Sequence, residues 1–316
     1  MSVKQFHDSL TDRLADHFFG VDEVIRWLSI ALIARGHVLM EGAPGTGKTS
    51  LARALAQCLG GEFGRVQCTA DLMPSDMTGV RFYNESTGAF EMMRGPLFSD
   101  VVIVDEINRT SPKTQSAMLE AMEEGAITID RETYSLPDDF FVIATQNPHE
   151  FEGTYPLPES QIDRFLVKLA VTYPATVEEV KVLRTYGQIS STLRKNTGQM
   201  FEVVDTNLLA AARAEADNVE VSEPVYQYMV ALAEATRTSP QVSLGLSTRG
   251  LLAMIRCARI LAAMEEMTFV TPDHIKQSLD AVVAHRLVLT QDALFDGFTA
   301  SDVLRELVAS IEVPRQ

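Results

Sequence analysis

The spacing of apolar and polar positions changes character near residue 175. Before it, short apolar runs rich in Val, Ile and Phe alternate with stretches of helical spacing, the arrangement of an α/β domain with a mostly parallel sheet covered by helices. The runs His37–Met40, Phe63–Cys68, Val101–Val104, Phe140–Thr145 and Leu166–Val171 are read as strands, and most are nearly continuous, as in central buried strands. Between the third and fourth runs, Ser111 with Pro112 opens a helix and Gly125 closes it, with Ala117, Met118, Ala121 and Met122 on one face. From Thr176 onward Ala, Leu, Glu and Arg recur at helical spacing in Leu208–Ala216, Val225–Ala235 and Leu251–Met264, and Thr271 with Pro272 starts another helix. The pattern predicts an α/β domain over residues 1–175 and a second, all-α domain over residues 176–316, divided near Tyr173 and Pro174.

A chain of 316 residues is long enough for two such domains. Its hydrophobic share of 46% is that of a soluble globular protein and leaves no reason to expect disorder. The longest apolar stretch, Trp27–Ala34, falls far short of the roughly 20 residues of a membrane span. The first residues lack an apolar leader core, so a cytoplasmic protein without membrane insertion is expected. A net charge of −16 opposes attraction to nucleic-acid phosphates, which points to protein partners. Cys58, Cys68 and Cys257 form no CxxC pair and read as buried reduced thiols, and the histidines show no zinc-ligand spacing.

The segment Gly42-Ala43-Pro44-Gly45-Thr46-Gly47-Lys48-Thr49 follows a strand and opens a helix that continues with Ser50, the context a phosphate-binding loop requires. Its glycines let backbone N–H groups close around phosphates, Lys48 would reach the β and γ phosphates of ATP, and the Thr49 hydroxyl would ligate Mg2+. Val101–Val104 ends in Asp105 and Glu106. In this setting Asp105 would hold the Mg2+ shell and Glu106 would polarise the attacking water, although such acids elsewhere are usually a solvated strand end or a helix cap. Asn147, after the next strand, can touch the γ-phosphate or the water; its structural alternative is an Asx turn before Pro148. Arg164, just before the fifth strand, is the candidate arginine finger, a planar and permanently charged group supplied to a neighbouring site; a salt bridge is its structural alternative.

The stretches QCTADLMPSDMTG, VDEINRTSPKTQSAMLEAMEEG and ATQNPHEFEGTYPLPESQIDRF resemble those of the MoxR family of AAA+ ATPases. In the helical half, Gly245-Leu246-Ser247-Thr248-Arg249-Gly250 is similar to the family's GASPRA segment, with departures at Leu246, Thr248 and Gly250. The resemblance implies that Arg249 is the sensor 2 arginine, reaching the γ-phosphate from a lid. It also implies a five-stranded AAA+ core, a hexameric ring with ATP at subunit boundaries, and Val21 beside the adenine; Val21 reads equally well as ordinary core. Members of this branch carry a β-hairpin inserted in the second helix, and residues 79–95 read as one, turning at Asn84–Gly88. A second hairpin is expected from Ile127–Ile129 and Thr133–Ser135.

By resemblance the chain is a chaperone-like ATPase that matures protein complexes, commonly with a separate partner carrying a von Willebrand factor A domain. A metal-chelatase motor subunit shares the same core and differs in its partner. A nucleic-acid motor would need basic loops, whereas the insert carries Arg81 and Arg94 against Glu85 and Glu91. A non-enzymatic scaffold is disfavoured because Lys48, Asp105, Glu106, Asn147 and Arg164 are all present.

Overall fold

The computed structural model describes residues 2–43, 45–148, 153–187 and 201–313. Five strands, β1 (Val38–Glu41), β2 (Phe63–Gln67), β5 (Val101–Asp105), β8 (Phe141–Gln146) and β9 (Val167–Ala170), form one sheet in the order β2-β5-β8-β1-β9. Every pairing in it is parallel. All five lie within a residue or two of the runs read from the sequence.

Alternate residues of the strands feed different cores, the period of two that a pleated strand imposes. Val38 and Met40 of β1, Val101 and Ile103 of β5, and Ile143 of β8 face the larger core, beneath α1 (Ser2–Ala15), α2 (Asp22–Ile33) and α3 (Lys48–Leu59). Leu39, Val102, Val104, Val142 and Ala144 face the smaller one, with Met118, Leu119 and Met122 of α5 (Pro112–Glu124). That helix has the ends its sequence specifies: Ser111 Oγ accepts from Thr114 N, Pro112 occupies the first turn, and Gly125 closes it at φ 59°.

The larger core continues without a break into the C-terminal helices. Val3, Phe6, Leu10 and Leu14 of α1 are fully buried there, and Glu215 Oε2, on the helix Thr206–Asp217, accepts from Val3 N at 2.9 Å. The N-terminal helix thus packs against the C-terminal region, a long-range pairing that its own periodicity does not disclose. The C-terminal region is helical, but among the described residues it also holds a ribbon pairing Val242–Leu244 with Val288–Leu289 and an isolated bridge between Glu220 and Phe269. Among the described residues no helix is long and apolar enough to cross a membrane. The three cysteines are buried and free, and burial pushes the thiols up, Cys58 to about 11 and Cys257 to about 12.

Both expected hairpins are present. β3 (Gly79–Asn84), entered from the short α4 (Pro74–Thr78), pairs with β4 (Ala89–Arg94), and β6 (Ala126–Ile129) pairs with β7 (Glu132–Ser135). An ion pair of 2.7 Å between Arg81 and Glu132 joins them. Phe82, Tyr83, Phe90 and Met93 are exposed on the first hairpin. Met92 is half-buried, and its neighbour Met93 takes the outward position.

His37 ties the amino-terminal end of the sheet to α5. Its Nδ1 accepts from Val142 N at 3.1 Å, which leaves Nε2–H to donate to Met122 O at 3.1 Å. Burial holds this imidazole neutral and lowers its pKa to about 4. Because the folded value lies below that of the free side chain, the unfolded chain takes up the proton first as pH falls. The contribution is complete above about pH 6.5 and is lost between 6.5 and 4, reaching about 3 kcal/mol. In His37→Asn the amide oxygen can still accept from Val142 N. Urea midpoints measured at pH 7 and pH 4.5 should therefore differ less in this variant than in the wild type; an equal difference would remove His37 as a source of acid sensitivity.

Candidate active site

The loop between β1 and α3 leaves the carboxyl end of the sheet. Gly45 and Gly47 sit at φ 81° and 84°, a region that costs L side chains steric energy. At Gly42 the constraint is space, since a Cβ would lie 2.1 Å from the carbonyl oxygen of Val171. Pro44 lies outside the described residues. Lys48 Nζ donates to the Gly42 and Ala43 carbonyls at 2.9 and 2.8 Å, so its ammonium is held over the loop. Burial lowers its pKa, against the raising effect of Asp105 and Glu106. Thr46 is half-buried beside it, and Ser50 is exposed on the first turn of α3.

Thr49 Oγ1 lies 3.3 Å from each carboxylate oxygen of Asp105. A hydroxyl facing a nearly buried carboxylate is a hard oxygen donor pair of the kind Mg2+ takes. Glu106, next in the chain, is a non-glycine residue at φ 58° and ψ 52°. Strained backbone of this sort is held only where its surroundings enforce it. Here Thr145 Oγ1 accepts from Glu106 N at 2.9 Å, and Glu106 O accepts from Arg109 N at 2.8 Å.

Cations that no sequence motif marks neutralise both acids. Arg65 Nε pairs with Asp105 at 2.9 Å and Arg109 with Glu106 at 2.9 Å, while Gln67 Nε2 donates to Glu106 Oε2 at 3.4 Å. Arg65 and Gln67 lie on the exposed side of the alternating edge strand β2, so their only signal in the sequence is a polar position at a period of two. Asn147 follows β8 directly and is half-buried at the same end of the sheet. Before it, Gln146 Nε2 donates to Glu41 Oε1 at 2.7 Å, and Lys168 pairs with Glu41 at 2.9 Å, so the ends of β8, β1 and β9 are fastened together. Val21 lines a small recess with Phe18, Val24, Met40, Leu51 and Val171, next to Gly47 and Lys48.

Arg164 and Arg249 stand elsewhere. Arg164 precedes β9, where Leu166 N donates to His37 O at 2.8 Å, which marks the amino-terminal end of the sheet. Its Nε pairs with Glu123 Oε2 at 3.2 Å, and Arg249 pairs with Glu123 Oε1 at 3.1 Å. Glu123 follows Met122, the residue joined to His37, and so lies at the same end. The resemblance takes Arg249 to the nucleotide from the lid; the geometry sets it beside Arg164, at the end of the sheet opposite the chain's own P-loop.

Asp163 and the buried Arg286 hold this end to the C-terminal region. Arg286 Nε donates to Asp163 Oδ1 at 2.7 Å, its Nη1 donates to the Leu166 and Val282 carbonyls, and its Nη2 donates to the Phe165 carbonyl at 2.7 Å. Ser247 Oγ adds a bond of 3.3 Å to Asp163 Oδ2. The departures from GASPRA have local reasons. Leu246 is core, and Thr248 takes the first helical position after the cap Ser247. A Cβ at Gly250 would lie 2.4 Å from Leu246 and 3.0 Å from the Arg286 stem.

A glycine-rich loop between the first strand and its helix, with paired acids on a nearby strand end of the order β2-β5-β8-β1-β9, defines a P-loop nucleotide-binding fold of the AAA+ type. The AAA model, ATPase family associated with various cellular activities, matches residues 37–167, and the AAA lid domain model matches residues 234–307. YeaC of Bacillus subtilis is 45% identical over 90% of this chain and 88% of its own length. Chaperone MoxR1 of Mycobacterium tuberculosis is 36% identical over 94% and 79%. A crystal structure of a candidate ATPase from Cytophaga hutchinsonii superposes with a TM-score of 0.89 at 33% identity, covering 99% of this chain and 97% of that one. The chain belongs to the MoxR family of AAA+ ATPases.

Arg286→Lys should destabilise the protein by about 2–4 kcal/mol, because a lysine cannot reproduce the guanidinium's fork and leaves buried carbonyls unmet. Urea unfolding would measure it; a midpoint within error of the wild type would mean that Arg286 does not hold the two regions together.

Proposed function

We propose that the protein hydrolyses ATP with Mg2+ at the P-loop of residues 42–50, and that each site is completed by a second copy in a ring, taken as hexameric. The observation carrying this reading is the cluster of Lys48, Thr49, Asp105 and Glu106 at the carboxyl ends of the strands, where open α/β sheets bind ligands. In this reading Lys48 and the loop N–H groups bind the phosphates, Thr49 and Asp105 hold Mg2+, Glu106 positions the water, and Asn147 contacts the γ-phosphate. Mg2+ supplies charge neutralisation across the phosphates when bound. Val21 packs against the adenine from the neighbouring recess. Residues 1–175 serve as the nucleotide-binding core and 176–316 as the lid.

Arg164 and Arg249 act on the neighbour's nucleotide, since neither stands at the end of the sheet that carries the chain's own loop. The work is directed to protein complexes in the cytoplasm, through a separate partner with a von Willebrand factor A domain. A relative named as a chaperone, the acidic net charge and the aromatic hairpin surface of Phe82, Tyr83 and Phe90 all favour protein over nucleic acid as the target.

Glu106→Gln should keep nucleotide affinity, because Asp105 and the loop remain, and reduce turnover about 100-fold or more. Single-turnover hydrolysis and calorimetric binding measured together decide it; hydrolysis at the wild-type rate would take Glu106 out of the mechanism.

Lys48→Ala should weaken ATP binding at least tenfold, since a partly buried cation facing the phosphates is lost. Arg164→Ala should bind ATP normally and hydrolyse it poorly. Mixing the two inactive variants creates interfaces where an intact loop meets an intact arginine, and part of the activity should return. No recovery at any ratio, with co-assembly shown by cross-linking, would mean that Arg164 does not act in trans.

A further inference from the structure

We propose that Glu123 is a positioning residue: its carboxylate holds Arg164 and Arg249 together as one two-guanidinium clamp for the terminal phosphate of a neighbouring copy's nucleotide. This rests on the reading that these arginines serve that nucleotide. Three separate elements converge here. Arg164 comes from the segment entering β9, Arg249 from the first turn of the helix Thr248–Met264, and Glu123 from the last turn of α5.

Each arginine takes a different oxygen of the same carboxylate, at 3.2 and 3.1 Å. Two guanidiniums this close repel one another, and an anion between them is what allows both to stay. The carboxylate also fixes their separation, since each retains one N–H edge on a common acceptor. The side chains are 30% and 46% exposed and Glu123 36%, so the clamp opens to solvent where another copy can approach. The supports beneath it rest on buried groups: the half-buried Asp163 is locked by the buried Arg286, and Met122 by the buried His37. Three half-exposed charges on an otherwise fixed base are suited to orienting an incoming phosphate, and an orienting error of about 1 Å is enough to cost about 100-fold in rate.

The test compares Glu123→Gln, Glu123→Asp, Arg164→Ala, Arg249→Ala and the control Glu124→Gln, which removes the same charge one residue further along. Steady-state hydrolysis would be fitted for kcat and KM, with ATP affinity and thermal unfolding followed in parallel. Glu123→Gln should lower kcat about 10- to 100-fold with ATP affinity unchanged, because the chain's own loop is at the other end of the sheet. Glu123→Asp should recover part of the loss, and Glu124→Gln should match the wild type. Mixing Glu123→Gln with Lys48→Ala should restore part of the activity, which a merely destabilised subunit would not do.

Normal kcat in Glu123→Gln, with both arginine variants slow, would overturn the role of Glu123 alone. Faster hydrolysis would overturn it as well, since Glu123 would then be withholding the arginines. A loss of activity that tracks loss of folded protein would make the carboxylate structural. Wild-type rates in both arginine variants would instead remove the reading of the arginines on which the clamp depends.

Discussion

A parallel sheet has two chemically different ends, and the charged groups of this protein divide between them. All five strands run the same way, so the loop after β1, the acids after β5 and the amide after β8 gather at the carboxyl ends. The segment before β9 and the last turn of α5 return to the amino-terminal ends. Strands of four to six residues separate the two groups by roughly 13–20 Å, more than an arginine side chain can span. A single chain therefore carries the glycine-rich loop on one face and the paired arginines on another, and the proposed sharing of a site between copies would make the interface heterologous, head to tail.

The arginine-bearing end is defined by a buried cation. Burial lowers the pKa of Arg286, and the bond and charge of Asp163 act against that effect. Removing a guanidinium from water is costly, and a buried ion pair by itself is weak evidence of net stability. What this group contributes is position: its donors meet backbone carbonyls of the segment 163–166 and a carboxylate that also takes Ser247. The C-terminal region cannot shift against Arg164 without leaving several of these bonds unmet. Gly250 belongs to the same arrangement, since a methyl group there would press on the stem of Arg286.

The parts legible in the sequence were those written in local patterns. Continuous apolar runs located the strands within a residue or two, because a strand buried on both faces tolerates few polar positions. The glycine-rich loop and the acids of β5 were legible because phosphate chemistry demands those residue types at fixed spacing. The ion pairs were not. In sequence Glu123 is one more acid on the polar side of α5, and nothing near it in the chain points to Arg164 or Arg249. Likewise α1 announces an amphipathic helix but not its partner, which lies about 200 residues further on. The ribbon of Val242–Leu244 and Val288–Leu289 is too short for a period of two to stand out.

Exposure separates the cations that fix the fold from those able to change partners. The side chain of Arg286 is 3% exposed in its pair with Asp163, whereas Arg65 is 48% exposed in its pair with Asp105 and Arg109 46% in its pair with Glu106. The Arg109–Glu106 pair, partly exposed on both sides, contributes about 0–1 kcal/mol, because water competes for both partners. The Asp105 side chain is only 10% exposed, so Arg65 offsets a carboxylate largely removed from water. The adjacent carboxylates of Asp105 and Glu106 need nearby positive charge, and these arginines, themselves half-exposed, provide it. Were these arginines as buried as Arg286, the acids would be committed to them and closed to other chemistry. The left-handed backbone of Glu106 points the same way: the strain is held by Thr145 Oγ1 and the turn through Arg109, not by the carboxylate itself. The backbone is fixed and the arginines are lightly held, which suits the proposed exchange of these cations for a nucleotide and its Mg2+.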